Sequence, residues 1–195
     1  MLRFVFSKAN SLAKSPAIFI DRDGVINCRR PDDYVLHYSQ FVFVPGIQVA
    51  LKRLASLRLP MIVISNQAAV GKGLLDPTGL EEITARMREI LIEDGTALAA
   101  AYYCPHTPSE DCACRKPKPE LLYQAANDFN IDLGHSVFIG DSETDIQAAR
   151  SAGCRPILFG SGLGSSLGSS EWKTNLPIAS RAEDIFDITV RCLGS

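Results

Sequence analysis

The amino-acid sequence predicts an α/β protein of three layers, with a central parallel sheet between two layers of helices. Three observations predict this class. Short apolar runs alternate along the chain with longer segments of helical periodicity, as expected for parallel strands joined by crossover helices. The runs are uninterrupted, which is typical of strands buried on both faces. Reactive side chains directly follow four of the runs, where the ligand sites of such sheets lie.

The strands are predicted from five short runs. Residues 99–103 form the weakest of them, because alanine is a poor strand former. Residues 1–16 are expected to hold an extra strand or a frayed terminus. A targeting role is less favoured there, since the basic residues lack the long apolar run of a secretory signal. The predicted strands cover residues 17–20, 61–64, 99–103, 137–139 and 156–159.

The helices are predicted from their periodicity and from residues at their ends. An acid followed by proline suits an N-cap and the first helical position, and a glycine suits a left-handed helix end. A serine followed three residues later by an acid forms a capping box. The predicted helix starts are at Pro45, at Asp76 with Pro77, and at Pro119. Gly153 is the predicted helix end, and Ser180 with Glu183 forms the predicted capping box of the closing helix.

Length and composition fit a single domain over residues 1–195. The chain has a net charge of −2, with 46% hydrophobic and 22% charged residues, which excludes a disordered or collagen-like protein. The near-neutral charge lacks the excess of basic residues that is typical of nucleic-acid-binding proteins. No apolar run is long enough to cross a membrane. We expect a core over residues 17–159, a mobile glycine- and serine-rich segment at 160–170, and a closing helix at 181–192.

Two aspartates follow the first predicted strand of the core. Asp21 and Asp23 flank Arg22, and Gly24 lets the chain turn away sharply. Continued strand geometry would place both carboxylates on the same side. One acid held near a cation stays ionised and attacks, while the other holds and delivers a proton. The alternative is an aspartate turn that only caps the strand.

A second group of acids follows the fourth predicted strand. Carboxylates suit Mg²⁺, and Asp141 is the favoured ligand. Three roles stay open for Asp145, which could bind the metal, hold a water molecule, or form a capping box with Ser142.

Two further segments offer groups that suit phosphate. The hydroxyl of Ser65 and the amides of Asn66 and Gln67 are donors suited to phosphoryl oxygens. Arg115 and Lys116 precede a helix, and a lysine can neutralise a transferring phosphoryl group. Charge alone would predict a solvated basic patch at the latter two residues.

Three of the six cysteines lie close together in the sequence with a histidine. Three thiolates and one imidazole, with no open position, form the ligand set of structural Zn²⁺, and chance clustering is the alternative. Such a cluster indicates a reducing cytoplasm rather than a disulfide framework. The predicted zinc ligands are Cys104, His106, Cys112 and Cys114, and no function is assigned to Cys28, Cys154 or Cys192.

The order of these motifs resembles the four motifs of the haloacid dehalogenase (HAD) superfamily. The resemblance covers roughly residues 17–159 and rests on residues 21–26, Ser65, Lys116, and Gly140-Asp141 with Asp145. The cysteine stretch is similar to the zinc-containing branch that holds heptose bisphosphate phosphatases and histidinol-phosphate phosphatases. The resemblance implies a Rossmann-like HAD core with a zinc loop. The core would be capless, because the stretch between Gly24 and Pro45 is too short for a cap domain.

This resemblance implies a phosphatase that acts through an aspartyl-phosphate. Asp21 would be the nucleophile and Asp23 the general acid and base, while Ser65 and Lys116 would hold the phosphoryl group. Catalytic Mg²⁺ would be bound by the Asp21 side chain, the Asp23 backbone carbonyl and the Asp141 side chain. Zinc would be structural.

Loops would then select the substrate. The resemblance favours D-glycero-D-manno-heptose 1,7-bisphosphate, which would lose its C7 phosphate. Histidinol phosphate or another small sugar phosphate is the alternative, and a non-catalytic binding module is a third hypothesis. We expect a monomer with no nucleic-acid or membrane partner. The expected substrate contacts are Tyr34, Asn66, Gln67, Lys72, Arg115 and Ser142.

Overall fold

A single seven-stranded sheet forms the centre of the computed structural model, which describes residues 1–7, 13–30, 34–160 and 175–194. The strand order is β1-β4-β3-β2-β5-β6-β7, and only β1 is antiparallel to its neighbour. The strands are β1 (Leu2–Val5), β2 (Ile18–Ile20), β3 (Met61–Asn66), β4 (Ala100–Cys104), β5 (Val137–Gly140), β6 (Arg155–Phe159) and β7 (Ile178–Ala179).

Helices cover both faces of the sheet, as predicted for a three-layer α/β protein. Residues of α1, α3 and α6 pack in one apolar cluster on one face, and residues of α4 and α5 pack in a second cluster on the other. Alternate residues of β2 belong to opposite clusters, as the pleat of a strand requires. The helices are α1 (Ile47–Ala55), α2 (Ala68–Gly71), α3 (Pro77–Glu93), α4 (Glu120–Phe129), α5 (Glu143–Ala152) and α6 (Asp184–Leu193).

Strand β2 lies in the middle of the sheet and all three of its residues are buried. Ile20 is paired with Val63 of β3 and with Ile139 of β5. The next residue, Asp21, still donates its backbone N–H to the carbonyl of Ile139 at 2.9 Å. The sheet therefore fixes the backbone of the first candidate catalytic residue.

Several helix signals are confirmed. The side chain of Asp76 accepts a hydrogen bond from the backbone N–H of Gly79 at 2.6 Å, and Pro77 begins α3. Gly153 ends α5 with a φ of 80°, the left-handed conformation expected of it. Helix α4 begins directly after Pro119.

The closing helix begins later than predicted, and its capping box is wrong. Helix α6 starts at Asp184, and Glu183 occupies the N-cap without a side-chain cap. The backbone N–H of Arg181 donates to the carboxylate of Asp184 at 3.0 Å, so a different acid takes the capping contact. The Ser180–Glu183 pair precedes the helix rather than opening it.

Two strands extend the predicted sheet at its edges. Strand β1 is the extra strand expected within residues 1–16, and β7 was not predicted because two residues carry no readable pattern. The segment expected to be mobile, residues 160–170, lies outside the described residues from 161 onward.

The described residues contain no cap domain. Between β2 and α1 they form one 3-10 turn at Tyr38–Gln40, and between β3 and β4 they form α2 and α3. Among the helices of the described ranges, none is both long and apolar enough to cross a membrane.

Candidate active site

Polar residues from four strands meet at the carboxyl edge of the sheet. Asp21 follows β2, Ser65 lies near the end of β3, Cys104 ends β4, and Asp141 follows β5. A cavity of about 480 Å³ lies at this edge. Its lining includes Asp21, Asp23, Arg29, Arg30, Tyr34, Ser65, Asn66, Gln67, Lys72, Arg115, Lys116, Ser142 and Thr144. Every predicted catalytic residue and substrate contact therefore lies on this cavity.

Lys116 is buried between two carboxylates. Its Nζ lies 2.9 Å from Oδ1 of Asp21 and 2.6 Å from Oδ1 of Asp145, and it donates to the carbonyl of Ile64 at 2.9 Å. Burial opposes its charge, but the two aspartates outweigh burial and raise the pKa of Lys116. The ammonium is therefore held charged at the site.

Asp21 is buried and has an unusual acidity. Burial raises its pKa to about 7 against the opposing effect of Lys116, and the other carboxylates of the site add to the rise. A cation beside Asp21 would favour its ionised form, which is the nucleophilic one.

Asp23 has the opposite environment. Nη2 of Arg22 lies 3.0 Å from both of its carboxylate oxygens. Asn27 donates to Oδ1 at 3.0 Å and Gln67 donates to Oδ2 at 2.7 Å. Burial raises the pKa of Asp23, but the charge of Arg22 and these hydrogen bonds outweigh burial and lower it. Two carboxylates two residues apart thus have different surroundings. Burial favours the protonated form of Asp21 and the three donors favour the ionised form of Asp23, which is the reverse of the predicted roles.

Asp141 pairs with Arg29. The Arg29 guanidinium donates to both oxygens of Asp141, at 2.6 and 2.9 Å. Burial nevertheless raises the pKa of Asp141. Gly24 approaches this carboxylate so closely that an added Cβ would lie 1.8 Å from its Oδ2, and the φ of Gly24 is 94°. A glycine is therefore required at position 24.

Asp145 makes the capping contact, one of the three roles that the sequence left open, and a second contact that was not predicted. Its Oδ2 accepts hydrogen bonds from the backbone N–H and the hydroxyl of Ser142, which completes the capping box of α5. Its Oδ1 lies beside Lys116. The residue therefore links the start of a helix to the buried cation.

The buried acids fit a divalent cation. Asp21, Asp141 and Asp145 each offer a carboxylate oxygen, and these oxygens lie within 4.8 Å of one another. Hard oxygen donors suit Mg²⁺, and burial raises the pKa of both Asp21 and Asp141, so a cation would restore their charged forms. The Asp23 carboxylate is outside this group.

The four predicted zinc ligands come together. The Sγ atoms of Cys104 and Cys114 lie 3.5 and 3.7 Å from that of Cys112, and Nδ1 of His106 lies 3.3 Å from Cys114. Tetrahedral zinc with Zn–S bonds of ~2.3 Å places its ligands roughly 3.7 Å apart, so the donor set fits Zn²⁺. Burial raises the pKa of Cys104 to about 12, so a bound cation would be needed to hold its thiolate.

The cysteine loop, defined as residues 104–116, contacts the rest of the site through Gly71 and Asn66 and contains one internal hydrogen bond from Arg115. The backbone N–H of Gly71 donates to the carbonyl of Pro105 at 2.8 Å, and a Cβ at Gly71 would lie 2.7 Å from that oxygen. Arg115 donates to the carbonyl of His106 at 3.1 Å. The Asn66 side chain makes two hydrogen bonds to the backbone of Lys116, at 3.0 and 3.1 Å.

Two of the predicted substrate contacts use their side-chain amides for bonds within the protein, and the other four line the cavity. Asn66 and Gln67 direct their amides at protein atoms, since Gln67 donates to both Asp23 and Ser65. Lys72 lies over the ring of Tyr34, 5.1 Å from its centre. The remaining contacts, Arg115 and Ser142, line the same cavity.

Three site residues were not identified from the sequence. Arg22 and Asn27 hold Asp23, and Arg29 holds Asp141. Alternation along the chain from β2 offered one signal, because it directs Arg22 into the interior, where an arginine needs a partner. Arg29 offered none, since its partner lies 112 residues away.

The chain is similar to several known proteins. A family model of HAD-hydrolase-like proteins matches residues 113–180. A D-glycero-beta-D-manno-heptose-1,7-bisphosphate 7-phosphatase of Pseudomonas aeruginosa is 38% identical over 147 residues, which cover 75% of this chain and 82% of the relative. An enzyme of the same name from Helicobacter pylori is 39% identical over 142 residues, covering 72% and 80%.

A solved structure has the same fold. The D,D-heptose 1,7-bisphosphate phosphatase of B. bronchiseptica, complexed with magnesium and phosphate, superposes with a TM-score of 0.83 at 30% identity. The match covers 90% of this chain and 98% of that one. With this similarity over nearly the whole fold, the chain belongs to the HAD-like phosphatase family that includes these heptose bisphosphate phosphatases.

Proposed function

We propose that this phosphatase removes the C7 phosphate of D-glycero-D-manno-heptose 1,7-bisphosphate through an aspartyl-phosphate at Asp21. The observation that carries the proposal is the pair of unlike carboxylates at the end of β2. Asp21 lies against Lys116, while the carboxylate of Asp23 accepts hydrogen bonds from three other side chains. The names of the relatives support the sugar substrate.

The reaction has two balanced steps. The negative charge of the bound phosphate would raise the pKa of Asp23 against the effect of its three donors, so that Asp23 takes up a proton when substrate binds. An oxygen of Asp21 then forms a bond to phosphorus as the bond between phosphorus and the sugar oxygen breaks, and Asp23 gives its proton to that sugar oxygen. Asp23, now ionised, then takes a proton from the water that attacks the aspartyl-phosphate. Phosphate leaves and both aspartates return to their starting forms.

The cations of the site would stabilise the transferring group. Lys116 and the Ser65 hydroxyl would hold phosphoryl oxygens, and both line the cavity with Asp21. Asp21, Asp141 and the backbone carbonyl of Asp23 would hold Mg²⁺, with Asp145 supporting Lys116. When bound, Mg²⁺ would neutralise the negative charge that otherwise repels a carboxylate from a phosphate.

Other residues would serve binding and structure. Tyr34, Lys72, Arg115 and Ser142 would contact the sugar or its second phosphate, because they line the cavity around the reacting centre. The four residues of the cysteine cluster would hold structural zinc. All six cysteines are free, which favours a reducing cytoplasm, and the expected monomer is testable by light scattering.

Phosphate release in the presence of Mg²⁺ tests the proposal. The panel holds the heptose bisphosphate in both anomers, histidinol phosphate and p-nitrophenyl phosphate. We expect the highest kcat/KM for the bisphosphate, with the C1 phosphate retained in the product. Faster release from histidinol phosphate would contradict the substrate, and no release from any compound would contradict the phosphatase.

The variant Asp21→Asn tests the mechanism. Loss of the nucleophile is expected to lower kcat at least roughly 10³-fold while the protein stays folded. The matched control is Asp187→Asn, since Asp187 is an exposed aspartate that pairs with Arg53 outside the cavity. Normal turnover by Asp21→Asn would exclude the aspartyl-phosphate.

A further inference from the structure

We propose that Arg22 is a positioning residue that acts through Asp23 by fixing the orientation in which this carboxyl group meets the leaving oxygen. The inference rests on the proposed function, in which Asp23 is the proton donor. It assigns a role to a side chain that does not itself reach the reacting phosphorus.

The contact between the two residues is specific. Nη2 of Arg22 lies 3.0 Å from each oxygen of Asp23, so one N–H group addresses both. Asn27 and Gln67 each donate to one of the same oxygens. Three donors spread over both oxygens define the plane of the carboxyl group, and rotation about its side chain would break at least one contact.

Arg22 is anchored in the protein interior. The side chain is 1% exposed, and its guanidinium lies 5.9 Å from the centre of the Tyr103 ring. Tyr103 is itself buried and pairs with the hydroxyl of Thr84 on α3. Its Nε and Nη1 have no hydrogen-bond partner among the described residues, so the contact with Asp23 and the packing against Tyr103 place the guanidinium.

Stability alone does not account for an arginine here. Taking a guanidinium out of water is costly, and an apolar side chain of similar volume often serves a buried site as well or better. Within the described residues, Asp23 is the one acid that pairs with Arg22. The buried guanidinium of Arg22 is therefore explained by the role of Asp23 in the reaction rather than by stability.

The variant Arg22→Met separates positioning from simple folding. A sugar phosphate needs a proton on its leaving oxygen, whereas p-nitrophenolate leaves without one. The ratio kcat/KM reports the steps up to leaving-group release. We expect kcat/KM for the sugar phosphate to fall about 10²-fold, the lower range for a lost general acid, and that for p-nitrophenyl phosphate to fall no more than about threefold.

A double variant and a control complete the test. If Arg22 acts through Asp23, Arg22→Met causes no further loss of sugar phosphate hydrolysis in an Asp23→Asn background. The double variant also removes the charges of Arg22 and Asp23 together, so no buried acid is left without its cationic partner. Thr84→Val changes the same buried layer without touching Asp23, so its preference between the two substrates should equal that of the wild type.

Each outcome has a definite meaning. Equal losses on both substrates, or additive losses in the double variant, would overturn the positioning role. If Arg22→Met does not accumulate as folded protein, Arg22→Lys replaces it, and the same selective but smaller loss is expected. A wild-type protein without phosphatase activity would instead overturn the proposed function, and the role of Arg22 with it.

Discussion

One lysine connects the two acids that the site most needs to control. Lys116 contacts both Asp21 and Asp145, and Asp145 also caps the first turn of α5. A change in this cation would therefore affect the proposed nucleophile and a helix end at the same time.

The variant Lys116→Met tests this connection. Removing one member of a buried ion pair leaves the other charge uncompensated, so we expect the free energy of unfolding to fall by about 3–5 kcal/mol, along with loss of phosphate release. Chemical denaturation measures the change. Lys52→Met is the matched control, because Lys52 is exposed on α1 away from the cavity and its loss should leave stability unchanged. Wild-type stability of Lys116→Met would contradict the role of the ion pair.

The sequence predicted the acids of the site better than the amides. Asp21 and Asp141 follow apolar runs, so their placement at one edge follows from the sheet alone. Substrate contact by Asn66 and Gln67 stays a prediction, since both line the cavity, but the bonds of their amides to Lys116 and Asp23 were not predicted. Those contacts join residues about fifty positions apart, which no local pattern encodes.

The cysteine loop acts at the scale of an element. It ends at Lys116 and contacts α2 through Gly71, so it connects the buried lysine of the cavity to a helix beside the cavity. Apart from one 3-10 turn at Pro108–Glu110 the loop has no helix, so we expect its geometry to depend on the four predicted zinc ligands.

The variant Cys112→Ser tests that dependence. We expect zinc, measured by elemental analysis after purification without chelator, to fall from about one ion per chain to none. We also expect a Tm lower by roughly 5–10 °C, because the metal contributes folding free energy, together with slower turnover. Cys154→Ala is the control, since Cys154 is buried outside the cluster. Wild-type protein that contains no zinc would contradict the assignment of a structural zinc site.

Elements were predicted where their patterns are long or their ends well marked. The four parallel strands β2, β3, β5 and β6 are clear apolar runs, and α3 has an aspartate cap. The start of α6 was missed because Ser180 and Asp184 both lie near the helix end and either could cap it. The contact made by Arg181 decided between them.

At the scale of the whole molecule, the N-terminal strand is tied to the far helix layer. Arg3 of β1 pairs with Asp128 of α4 at 2.8 Å, across 125 positions of sequence. Tyr102 and Gln124 donate to the same carboxylate, at 2.7 and 2.9 Å. The order of strands in the sheet could not be predicted, because it depends on such distant contacts.

The free energy of unfolding, measured as the pH is lowered, tests the contribution of the Asp128 contacts. Burial opposes the charge of Asp128, but the hydrogen bonds from Tyr102, Gln124 and Arg3 outweigh it and lower its pKa below the ordinary 3.8. The carboxylate therefore adds stability above about pH 4, and this is lost as the pH falls through the folded pKa. Asp128→Asn is expected to be less stable than the wild type by about 1 kcal/mol at pH 7 and equal to it in strong acid. A difference that persists undiminished at low pH would contradict the tie.

The antiparallel strand β1 also sets an order of events during synthesis. Its partner β4 ends at Cys104, so the ribosome must add about a hundred residues after β1 before the two can pair, which takes roughly 5–20 s. Until then Leu2, Phe4 and Phe6 have no apolar layer to pack on. An unpaired apolar strand is prone to aggregate. The nascent chain therefore carries β1 unpaired until β4 emerges.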